Sequence, residues 1–81
     1  MFRYRNADGS RNISGKNIAR VRKAQVPKMS QRDLAQQMQL RGIDLDRNAI
    51  QRIEKGKRYV LDAEVQCIAD ILGVPVTELM R

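Results

Sequence analysis

Histidine and tryptophan are absent from the 81 residues, cysteine occurs once, and aromatic side chains make up only 4% of the chain. Each shortage removes a class of explanation. With no histidine and Cys67 as the sole thiol, the chain lacks the soft ligands of a zinc site and the second sulfur of an internal disulfide. No metal or other cofactor is expected, and a lone thiol suits a reducing cytoplasm. Catalysis is equally poorly provided for. There is no imidazole, no evident base beside the thiol, no glycine-rich phosphate loop, and the carboxylates are scattered, so the chain does not read as an enzyme.

Long apolar runs are missing too. Nothing approaches the roughly 18 apolar residues needed to cross a bilayer, and no strongly amphipathic basic helix stands out. A membrane is therefore not an expected partner. The opening stretch, MFRYRNADGSRN, is basic and polar with no apolar segment after it, unlike a secretory signal.

What is present is aliphatic and basic. A hydrophobic content of 42% suffices for one modest core, which must be assembled from Ile, Leu, Val, Met and Ala, as in small helical proteins. The formal charge is +7, and it is segregated: residues 1–60 hold 15 Lys or Arg against 5 Asp or Glu, whereas residues 61–81 hold 1 against 4. One end of the chain seeks a polyanion and the other does not.

Helix starts follow a repeated grammar of apolar residue, polar cap and apolar residue four positions beyond the cap. Ile13-Ser14 precedes Ile18, Met29-Ser30 precedes Leu34, and Leu45-Asp46 precedes Ile50. A first helix is expected from Lys16 to Gln25, closed off by Pro27. The second starts after Ser30, with Leu34, Ala35 and Met38 inward and Gly42 as a left-handed stop. The third runs from Arg47 to Lys55 and ends at Gly56. A fourth begins near Asp62, carries Val65, Ile68, Ala69 and Leu72 on one face, and ends at Gly73. Pro75 opens a short fifth helix with Val76 and Leu79 inward. Cys67 falls off the inward stripe of the fourth helix, where a partly buried inert thiol is favoured over a dimer contact.

On the third helix, Ala49, Ile50 and Ile53 share one side, which leaves Arg47, Asn48, Gln51, Arg52 and Lys55 on the other. An ordinary solvated helix face has such residues as well. Here, however, only one acid, Glu54, stands among the cations, and Lys57-Arg58-Tyr59 follows directly. Arginine can donate two hydrogen bonds to guanine, and Asn or Gln can pair with adenine, each good pair giving roughly 1–3 kcal/mol of discrimination.

The strings SQRDLAQQM, NAIQRIEKGKR and ADILGVPVTELM, within residues 14–80, resemble the phage repressor and Cro-like (Xre) helix-turn-helix proteins. The resemblance implies an all-α bundle of five short helices, lambda-repressor-like, with the motif formed by helices 2 and 3. It implies that Arg47, Asn48, Gln51 and Arg52 face base edges, and that Ser30 and Gln31 hold phosphate at the start of helix 2. Lys55, Lys57 and Arg58 would grip the DNA backbone beyond helix 3. Arg22 would pair with Glu54 as a structural ion pair of small net stabilisation. The chain departs from the compact family pattern between Ala35 and Asp46, where the turn is enlarged. Helix 2 is expected to extend through Leu40, with Ile43 and Leu45 filling the space beneath.

Residues 14–81 thus form the expected DNA-binding domain, and residues 1–13 a basic flexible arm. Arg3, Arg5 and Arg11 of the arm either contact DNA or belong to an unstructured tail, the tail being favoured. The function expected is a small transcriptional regulator of bacterial or phage type, most simply a cytoplasmic, nucleoid-associated repressor. It would bind a short palindromic operator on double-stranded DNA as a homodimer, since one helix reads too few base pairs alone. The alternative is an antitoxin that also binds a toxin protein, a class that usually needs chain beyond the DNA-binding core.

Overall fold

A computed structural model describes residues 5–81, so Arg3 lies outside the described residues. Five helices follow one another: α1 Gly15–Lys23, α2 Gln31–Leu40, α3 Arg47–Glu54, α4 Asp62–Leu72 and α5 Val76–Leu79. Among the described residues there is no strand.

The core is aliphatic. Ile18 from α1, Leu34 and Met38 from α2, Ile50 and Ile53 from α3, Ile68 from α4 and Leu79 from α5 are all fully buried. At about 1.5–3 kcal/mol for each such side chain, this cluster is what holds α3 in place. Eight residues are too few for a helix to persist alone in water. Packing of Ile50 and Ile53 between α1 and α2 supplies what propensity cannot. Cys67 also joins the core at 9% exposure, and burial raises its thiol above the ordinary value.

Helix ends show where local grammar governs and where it yields. Ser30 and Asp33 form a reciprocal box: the Ser30 hydroxyl accepts from Asp33 N–H at 3.0 Å, and Ser30 N–H donates to the Asp33 carboxylate at 2.9 Å. The Ser30 backbone N–H first, and then the Ser30 hydroxyl, lower the Asp33 carboxyl below its usual range. Asp46 caps α3 by accepting from Ala49 N–H at 2.8 Å.

Ser14 does not cap α1. Its backbone is already helical and its side chain makes no cap bond. Ile13 is half exposed instead of stapled. The cap is supplied from two residues earlier, where Asn12 Oδ1 accepts from Gly15 N–H at 2.7 Å. At its other end α1 stops at Lys23, two residues short of expectation, and beyond it Gln25 bridges α1 and α4. Its side-chain amide donates to Val21 O at 3.3 Å and Leu72 O at 3.2 Å.

The enlarged turn of the motif spans residues 41–46. α2 extends through Leu40, Gly42 takes the left-handed conformation at φ 82°, and Ile43 N–H donates back to Met38 O at 3.0 Å. Leu45 is buried and Ile43 packs against the core. Leu40 points outward at 73% exposure.

Candidate nucleic-acid interface

α3 presents a polar row directly opposite its buried anchors. Arg47, Asn48 and Arg52 are exposed and Gln51 is half-buried. No side-chain hydrogen bond or ion pair joins any of these four to another described residue. The two carboxylates at the ends of the helix, Asp46 and Glu54, are already engaged. Asp46 accepts from the first turn of α3, and Glu54 is claimed from behind. Arg22 donates to Glu54 through Nε at 2.7 Å and Nη2 at 3.0 Å, and Gln31 Nε2 donates to it at 2.9 Å.

The Arg22–Glu54 pair is nearly dry, with the two side chains 9% and 6% exposed. Arg22 Nη1 also donates to Met29 O at 3.0 Å, so one guanidinium ties α1 to α3 and to the segment entering α2. Removing the acid of α3 from its outer face leaves a row of guanidinium and amide groups with their donors free. Such a row can offer bidentate pairs to base edges in a groove wide enough for a helix.

The residues expected to hold phosphate fall into two groups. Lys55 and Lys57 are exposed beyond the end of α3 and enter no ion pair with a described residue. Ser30 lies exposed at the start of α2, its hydroxyl oxygen accepting in the capping box. Gln31 has its amide directed at Glu54, and Arg58 is directed inward. Arg58 Nη1 donates to Glu64 Oε1 at 3.0 Å and to Tyr59 O at 2.9 Å.

Glu64, in the first turn of α4, is an acid that the sequence pattern does not single out. It is buried. Burial alone would raise its carboxyl, but the Arg58 hydrogen bond, the Leu61 N–H at 3.0 Å and the Arg58 charge together hold it below the ordinary value.

Arg5 is exposed. Arg11, expected in the arm, is attached to the exit of α3: its backbone N–H donates to Gly56 O at 2.8 Å and Nη1 to Lys57 O at 3.2 Å. Its guanidinium lies 6.0 Å from the centre of the Tyr59 ring. Asn12 was not singled out from sequence at all. Its amide nitrogen donates to Ile53 O at 3.1 Å and Arg58 O at 2.7 Å. Asparagine before a helix is a usable cap signal, but bonds to carbonyls more than forty residues away leave none.

Among the described residues no group of His, Cys, Asp and Glu could hold a metal ion, and no helix is long and apolar enough to cross a membrane. Residues 27–79, well over half of the chain, match the helix-turn-helix family. A solved structure, the crystal structure of the DNA-binding domain of BldD, superposes with a TM-score of 0.70 at 22% identity. The match covers 94% of this chain and 100% of that one, a likeness of fold. No curated protein sequence matches significantly.

Proposed function

Since the chain belongs to the helix-turn-helix family, we propose that it is a sequence-specific double-stranded DNA-binding transcriptional regulator that acts as a repressor by occupying its operator. The observation that carries this reading is the unpaired Arg47, Asn48, Gln51 and Arg52 row on α3, with the adjacent acids drawn away by Arg22, Gln31 and the helix cap. The name of the BldD domain adds support, as a DNA-binding domain of the same fold.

In this reading α3 lies in the major groove with its first turn toward base edges. Ser30 at the start of α2 and Lys55 and Lys57 after α3 hold phosphates on either side. Contacts of the second kind fix position and carry no sequence information.

A homodimer on a palindromic site completes the proposal, because a single recognition helix reads too little sequence. A groove of about 520 Å³ lined in part by Val60, Val65, Val76 and Met80 supports it. Exposed Ile13 and Met80 lie in its lining, and exposed Leu61 is next to it in the chain.

Selection from random duplex DNA tests the proposal. Enrichment of a two-fold symmetric motif is expected. A pool that stays random after repeated rounds, with binding that depends on salt alone, would overturn it.

A further inference from the structure

The described part of the segment before α1 is a folded turn. Asn6 N–H donates to Ser10 O at 2.8 Å, Gly9 N–H to Asn6 O at 2.9 Å, and the Ser10 hydroxyl to Asp8 Oδ1 at 2.7 Å. This turn is seated on the exit of α3 without slack. A Cβ on Gly56 would stand 2.8 Å from Ser10 Cβ, at a residue whose φ of 72° already favours glycine.

The contacts converge on one chemical feature. Carbonyls in the last turn of α3 and in the loop beyond it point toward this segment and take donors from it. Ile53 O, which also accepts from Gly56 N–H at 3.0 Å, and Arg58 O receive the Asn12 amide, while Gly56 O and Lys57 O receive the Arg11 backbone and guanidinium. Four carbonyls that bracket Lys55 and Lys57 are thus all held by two consecutive residues. The same Asn12 side chain caps α1 through its oxygen, so it is anchored at both ends.

We propose that residues 6–12 are a strap that fixes the loop carrying Lys57, and that Asn12 is the positioning residue for the phosphate contact of Lys57. The proposal rests on the DNA-binding reading above. It adds that the segment before α1 acts on DNA affinity through the far end of the recognition helix. Asn12 itself need touch no nucleotide. Because Arg47 and Asn48 lie at the opposite end of α3, their geometry is set by Asp46 and Ile50, and preference at the bases they read does not depend on the strap.

The test compares wild type, Asn12→Ala, Lys57→Ala and the double variant of the full chain on enriched and on random duplexes across salt concentrations. Asn12→Ala is expected to weaken both duplexes about three- to tenfold, with the salt slope falling by about one. Preference at the base positions read by Arg47 and Asn48 should stay unchanged. In the Lys57→Ala background, Asn12→Ala should have little further effect, which a general loss of folding would not produce.

Amide hydrogen exchange of Arg11, bonded to Gly56 O, supplies a readout independent of DNA. Protection in wild type that is lost in Asn12→Ala, while Leu34 and Ile50 amides stay protected, supports the strap. Additive losses, a changed preference at the bases read by Arg47 and Asn48, or an Arg11 amide that exchanges freely in wild type would overturn it. Should wild type prefer no sequence, the DNA-binding reading fails on its own, and Arg11 exchange still decides whether the strap is latched.

Discussion

Removing Arg22 while keeping Glu54 should be far more damaging than removing both. The Glu54 side chain is 6% exposed and accepts two bonds from Arg22 and one from Gln31. In Arg22→Met the carboxylate stays buried with only a neutral amide beside it, and Met29 O loses its donor as well. An uncompensated buried charge of this kind costs about 3–5 kcal/mol. At roughly 0.05–0.15 kcal/mol per residue the whole domain has about 4–12 kcal/mol of stability, so a large share would go. The midpoint should fall by roughly 4–8 °C for each kcal/mol lost. In the double variant Arg22→Met with Glu54→Leu the desolvated charge is gone and similar volume is refilled, so the loss relative to wild type should be much smaller. Urea unfolding followed by far-ultraviolet circular dichroism measures all four proteins of the cycle. A double variant as unstable as the sum of the single ones would refute the reasoning, because the cost would then lie in lost packing and not in the orphaned charge.

The Arg58–Glu64 contact makes acid stability a separate probe. Glu64 is held below its ordinary value of 4.5, so its contribution is complete above that pH and is lost as pH falls through the lower folded value. Glu64→Gln should therefore unfold more easily than wild type at neutral pH and lose less as pH falls below 4.5, which a pH series of urea midpoints would show. Gly15→Ala sets two effects of opposite sign against each other. Helix propensity favours alanine by about 1 kcal/mol, but the added Cβ would fall on the backbone oxygen of Ile53, and forced repacking costs roughly 1–3 kcal/mol. A lowered thermal midpoint is expected, and a raised one would mean that α1 does not approach α3 that closely.

Much of the fold is written in short-range pattern. The starts of α2 and α3 are legible because Ser30 and Asp46 meet their donors within three residues, and the apolar residues that follow at helical spacing are the ones that become buried. Ser14 matches the same pattern and fails, because Asn12 competes for the first N–H of α1 and is itself fixed by carbonyls beyond α3. Arg58 illustrates a second limit. By composition it belongs to the basic stretch Lys55–Arg58, yet the chain turns so that its guanidinium meets Glu64, and nothing local separates it from Lys57. Gln31 looked like a phosphate ligand for the same reason, although its amide meets an acid twenty-three positions later. Periodicity and caps locate elements; which polar group a surface residue meets depends on how those elements pack.

The direct test of the central proposal is quantitative binding of Arg47→Ala and Lys57→Ala, each against wild type, on an enriched duplex and on its single-base variants at several salt concentrations. Arg47→Ala is expected to lose about 1–3 kcal/mol and to relax preference at one base position, with the salt slope largely kept. Lys57→Ala should weaken every duplex alike and lower the slope by about one. If Arg47→Ala instead weakens all sequences equally and leaves base preference intact, α3 does not read base edges and the proposed role of its polar face is wrong.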